Sequence, residues 1–181
     1  MTRVLLMRCT LGCVLALLNA GCSDPVSSAQ IEALGPEAPG VPPGPDHRPG
    51  QPCLHCHSEG GPASSKPFAM AGTVYETSAP DAKGAADIYV QFTDSSGGSP
   101  RSTPKTRPSG NFFVPREDWP DLRFPARVGL YKSLNEPPLV IMKSLINREG
   151  SCNFCHRANK DKSVDPRTSV GQVFLEAGGE Q

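Results

Sequence analysis

Two five-residue patterns, Cys53-Leu54-His55-Cys56-His57 and Cys152-Asn153-Phe154-Cys155-His156, take up every cysteine in the body of this 181-residue chain. The other three of its seven cysteines, Cys9, Cys13 and Cys22, lie in or at the end of an apolar N-terminal region. No thiol is left for a structural disulfide, so the body must fold by packing around whatever the two C-x-x-C-H patterns hold. A spacing of three positions lets one helical turn present both thiols on one side, with an imidazole following directly.

The N-terminal region has its own logic. Arg3 and Arg8 precede the apolar run from Leu11 to Leu18, and the small residues Ala20 and Gly21 lead to Cys22. The run is well short of the roughly 18 residues that span a bilayer, so it reads as an export signal over residues 1–21 and not as a membrane helix. Asn19-Ala20-Gly21-Cys22 resembles the bacterial lipoprotein box. That resemblance implies cleavage before Cys22 and a diacylglycerol on its thiol, so that the chain is exported to the periplasm or cell surface and anchored to a bacterial membrane without spanning it. An ordinary secretory signal, leaving Cys22 as a free thiol, is the alternative.

A C-x-x-C-H pattern is the attachment signal of a c-type haem. The two thiols form thioethers with the macrocycle, and the neutral imidazole next to them is the proximal iron ligand. Two covalently bound haem c groups are therefore expected, on Cys53 and Cys56 with His57 as ligand, and on Cys152 and Cys155 with His156. Haem attachment takes place outside the cytoplasm, in agreement with the leader. Two other chemistries fit the cysteines: a Cys₄ zinc site made from both pairs, or a redox dithiol. The sixth iron position distinguishes electron transfer from small-molecule chemistry, because a closed shell leaves no room for substrate. Met142 and His47 are the candidate distal ligands. Met70 and His55 are weaker ones, since Met70 suits a core position and His55 is held at its own haem's edge.

Composition bounds the rest. Without Arg3 and Arg8 the chain has 16 basic residues against 18 acidic ones, with no basic run that suits nucleic acid. Aromatic residues make up 6% of the chain while Pro and Gly number 20 and 18, which disfavours a helical bundle and favours short strands joined by turns. Residues 22–51, rich in Pro, Gly, Ala and Ser, read as a tether, part extended and part disordered. Residues 52–69 form the first haem segment. Over residues 70–143 strands are expected at Ala71 to Tyr75, Ala86 to Phe92, Asn111 to Val114, Ala126 to Tyr131 and Leu139 to Met142, separated by the turn signals around Gly97 and Gly110. Residues 144–181 form the second haem segment and a tail, in which Val170, Val173 and Phe174 have the spacing of a short closing helix.

Gly72-Thr73-Val74-Tyr75, the Ile88-x-Val90-x-Phe92 run and Ser109-Gly110-Asn111-Phe112-Phe113 resemble carboxypeptidase-regulatory-like modules of the prealbumin type. The resemblance implies a mainly β fold, a small Ig-like sandwich flanked by haem-binding loops and short helices, and says little about function. The paired C-x-x-C-H patterns resemble dihaem c-type cytochromes. This implies electron transfer with a redox partner protein at a membrane surface. Paired carboxylates, a nucleophile with its base, and a Gly-rich phosphate loop are all missing from the sequence, so an independent enzyme is not expected; a haem peroxidase would need an open iron. The reading from another class is a surface-anchored β-sandwich binding or structural module with zinc or disulfides at the cysteine pairs.

Overall fold

The computed structural model describes residues 24–148, 150–157 and 169–175. The leader and Cys22 lie outside the described residues. Among the described residues no helix is long and apolar enough to cross a membrane. The elements in chain order are α1 (Pro25–Ala33), α2 (Cys53–Cys56), β1 (Phe68–Tyr75), β2 (Tyr89–Thr93), β3 (Arg101–Ser102), β4 (Asn111–Pro115), β5 (Arg127–Tyr131), β6 (Val140–Ile141), α3 (Cys152–Cys155) and β7 (Val173–Phe174).

The strands form two sheets, ordered β4-β1-β7 and β3-β2-β5-β6. Within the second, β2 pairs antiparallel with β5, aligning Val90 with Leu130 and Phe92 with Val128. Alternate residues of these strands point inward, and Val90, Phe92, Val128 and Leu130 meet Met70, Val74, Phe112 and Val114 of the first sheet in one shared core. Trp119 closes one end of it, edge-on to Phe92 at 5.5 Å between ring centroids. The result is a mainly β chain of two sheets and a few short helices, consistent with a small sandwich-like fold.

Strand boundaries differ from the pattern in the sequence for local reasons. β2 begins at Tyr89 and not at Ala86, because Asp87 takes a left-handed φ of 61° and interrupts the extended run. β3 is only two residues long, and Pro104 beyond it supplies no N–H to a ladder. Buried Thr hydroxyls fill in: Thr103 Oγ1 accepts from Val90 N at 3.1 Å, and Thr106 Oγ1 accepts from Ile88 N at 2.9 Å.

Two segments are held by bonds that the sequence pattern does not display. Residues 24–51 are bonded within themselves and to the sandwich. Asp24 caps α1 by accepting from Val26 N at 3.0 Å, Pro25 opens the helix, and the following loop is bonded to the sandwich from Pro45 to Gly50. The tail does not close as a helix. Val173 and Phe174 pair parallel to Val74 and Tyr75, and the Gln172 side-chain amide donates to Thr77 O and Ala79 O, each at 2.9 Å. Val170 stays exposed, so the three apolar residues share no buried helical face.

Phe92 is 1% exposed and belongs to the core that both sheets share. Phe92→Ala should destabilise the protein by about 3–5 kcal/mol, read as a lower urea midpoint at unchanged slope.

Candidate functional site

Strand β1 is where the two cysteine motifs converge. Its residues from Ala69 onward are all buried, an unusual condition for a strand that carries only two edges and two faces. β4 covers one edge, with Gly72 opposite Phe112. The other edge takes two separate pieces: Ser151 bridges in parallel to Ala71, and β7 continues the pairing at Val74 and Tyr75. The first motif joins through Phe68 N, which donates to His57 O at 2.9 Å; the second joins through Ala71 N, which donates to Gly150 O at 3.0 Å.

Each motif is a single helical turn, α2 and α3, closed by a bond from the histidine N–H to the first cysteine carbonyl, 2.9 Å in both. Both histidines are oriented alike. His57 Nδ1 lies 2.8 Å from Lys66 O, and His156 Nδ1 lies 3.0 Å from Gly171 O. A carbonyl only accepts, so the proton sits on Nδ1 and each Nε2 presents its lone pair. Burial holds both imidazoles below their usual range and therefore neutral, the form that binds a metal. The His57 ring is further fixed by stacking on Phe68, 4.1 Å between centroids with 12° between planes; Phe68 stacks in turn on Phe113 at 4.8 Å.

A cavity of about 530 Å³ opens beside the first turn, lined by Cys53, Cys56 and His57, by His47 from the preceding loop, and by Leu34, Phe68, Phe112 and Phe113. His47 and His57 face each other across 5.9 Å between ring centroids. His47 Nδ1 is engaged with Gly44 O, so its Nε2 is again the acceptor nitrogen. Two imidazoles bound axially to one metal at about 2 Å each have centroids about 6 Å apart.

These residues fit a haem. The volume lies within the range of cofactor pockets, and the lining is mainly apolar. Lys66 and Arg48 also line the cavity, the Arg48 guanidinium being paired with Glu37 and bonded to Gln51 and to Gly35 O. The thiols do not suit a redox dithiol, which needs a lowered pKa. Enclosure of its sulfur pushes the Cys53 thiol up to about 12, and burial also raises Cys56. Among the described residues no three His, Cys, Asp or Glu side chains gather as a metal-ion site, so the two cysteine pairs do not converge on a Cys₄ tetrahedron.

The second turn has the same donor set in a more open place, with Cys155 exposed and Phe154 38% exposed. The two turns touch. His55 meets Phe154 edge-on at 5.8 Å between centroids, and a Cβ built on Gly150 would come within 3.2 Å of Leu54 Cδ2. Met142 donates its N–H to Val128 O and packs against the core from the four-stranded sheet, whereas the second turn sits on the three-stranded one. Met70 is completely buried in the core. The orienting carbonyls of Lys66 and Gly171 carry no sequence signal, because any residue supplies one.

Comparison with known protein families, curated proteins and solved structures gives no match.

Close docking of the second turn depends on Gly72. A Cβ there would stand 2.8 Å from Cys152 Cβ and 2.9 Å from the Phe112 ring. Gly72→Val should therefore loosen α3 from β1. In the cofactor-free chain, Cys152 should be alkylated about tenfold faster or more while Cys53 keeps its rate, as an overlap worth about 1–3 kcal/mol requires.

Proposed function

We propose that this chain is a dihaem c-type cytochrome that transfers electrons at a bacterial membrane surface, held there by lipid on Cys22. The observation that carries the reading is the repeated histidine arrangement. In two unrelated stretches of sequence a C-x-x-C turn is followed by an imidazole whose Nδ1–H donates to a main-chain carbonyl, leaving Nε2 free to bind iron. Such a partner fixes ring orientation and raises ligand basicity.

In this reading Cys53 and Cys56 would hold the first haem, and His57 and His47 would supply the nitrogens to its iron. Cys152, Cys155 and His156 hold the second. Haem in these positions supplies one-electron iron chemistry. The chain's own residues hold the imidazoles neutral and oriented, wall the first cofactor with Phe68, Phe112 and Phe113, and set the two sites side by side through the contact of His55 with Phe154. That adjacency favours electron exchange within the chain. The more open second site is then the natural point of contact for a redox partner protein. The order of strands around one shared core supports a prealbumin-type sandwich as the carrier, with the haems on its flanks.

Protein made in a host with haem-c maturation machinery should give a pyridine haemochrome spectrum of two covalent haems per chain. Cys53→Ala/Cys56→Ala and Cys152→Ala/Cys155→Ala should each leave one. A chain that takes up no covalent haem, and holds zinc or disulfides at the cysteine pairs, would return it to the class of anchored binding modules. A second outcome follows from adjacency. Reductive titration should resolve two potentials, and the one remaining in each single-haem variant should shift from its value in the full protein, because the charges of two nearby cofactors interact.

A further inference from the structure

His47 is far in sequence from the strand that controls it. The loop carrying it is clipped to the sandwich through its main chain, by side chains from the β1–β4 pair. The Asn111 side-chain amide donates to His47 O at 2.9 Å and to Pro45 O at 3.2 Å. Asn111 Oδ1 accepts from Thr73 Oγ1 at 2.8 Å, and Thr73 Oγ1 accepts from Gly50 N at 2.8 Å. Thr73 and Asn111 are directly opposite in the β1–β4 register and both are buried. The loop is thus held on both sides of His47 by one closed polar relay, in which each group has a partner. Asp46 adds an outer clip, accepting from Ser109 Oγ at 2.8 Å and pairing with Arg107 at 3.2 Å.

The imidazole itself has one further restraint, its Nδ1 contact with Gly44 O within the same loop. Nothing in that contact fixes the loop against the cavity; the Asn111 and Thr73 bonds do. We propose that the buried Thr73–Asn111 pair is the latch that keeps His47 opposite His57, and so decides whether the first iron has a closed shell or an open sixth position. This rests on the dihaem reading and on His47 as axial ligand. Asn111 and Thr73 are positioning residues, since both act through the loop backbone. The same latch sets the access of small ligands to the first iron: closed, the centre only exchanges electrons; released, it has a position for a small neutral ligand.

Asn111→Asp is the discriminating variant. It keeps the shape and the acceptor but loses the amide donors that hold His47 O and Pro45 O. In the dihaem protein it should convert one iron to the high-spin form and add one carbon monoxide site per chain relative to the parent, at an unchanged haem count; added imidazole should restore the low-spin spectrum. Thr73→Val should act in the same direction, and Thr73→Ser, which keeps the hydroxyl, should match the parent. The Thr73 pair decides the matter if Asn111→Asp does not fold. Unchanged spin state and carbon monoxide uptake in both Asn111→Asp and Thr73→Val would overturn the latch. A parent with two haems whose spectrum is unaffected by His47→Ala would overturn it too, by removing its ligand, while leaving the cytochrome reading intact. A parent without haem defeats the cytochrome reading itself. The loop's attachment is then read separately, in the cofactor-free chain, where Thr73→Val should speed hydrogen exchange at Gly50 N.

Discussion

Strand β1 cannot be left bare anywhere. Once Ala69 through Tyr75 are buried, each main-chain N–H and C=O along them must find a partner inside the protein, because an unpaired buried amide costs about as much as a lost hydrogen bond. β4 satisfies one edge. The other is completed by pieces from distant parts of the chain, Gly150 with Ser151 and then Val173 with Phe174. Both C-x-x-C turns hang on this requirement. The segments that carry their histidines are the ones that bond to β1, so the geometry of each site follows from the need to finish a sheet. Gly72 makes it feasible, leaving space on the strand where a larger residue would hold the second turn away.

The helical turn at each cysteine motif was legible because it is local: it sets the spacing of the thiols and places the histidine next to them. The strand at Tyr89 was legible too, as its alternation of buried and less buried residues matches the pleat. What depends on distance was not. His47 in a Pro-rich stretch has no local mark of its place, which is set by Asn111 some sixty positions later. The Pro and Gly content of residues 24–51 suggested a tether because regular ladders are excluded there. Side chains of Asn111, Thr73 and Ser109 do the bonding instead. A two-residue strand such as β7 is too short to show a period, so Val170, Val173 and Phe174 were equally compatible with a helix. Met142, a candidate sulfur ligand by its nearness to Cys152 in sequence, is half-buried and packs against the core.

The two candidate centres share donor chemistry and differ in surroundings. The first lies in an apolar cavity between the sandwich and a clipped loop, with a second imidazole opposite its own. The second is more exposed, and its orienting carbonyl arrives from the chain's last described segment. Lower exposure and a lower local dielectric generally strengthen charge interactions around a cofactor. Identical pentapeptide patterns thus come to sit in unequal electrostatic environments, and the difference is made entirely outside the patterns.

The C-terminal strap also imposes a sequence of events on assembly. The first centre draws on side chains no later in the chain than Phe113, whereas His156 has no orienting carbonyl until Gly171 is in place, and Gly171 is held there by Gln172 and β7. A polypeptide made from its N-terminus therefore possesses every part of one centre well before it possesses every part of the other. The enclosed site is built from residues that all precede β5, whereas the exposed turn waits for a carbonyl that lies beyond both cysteine motifs.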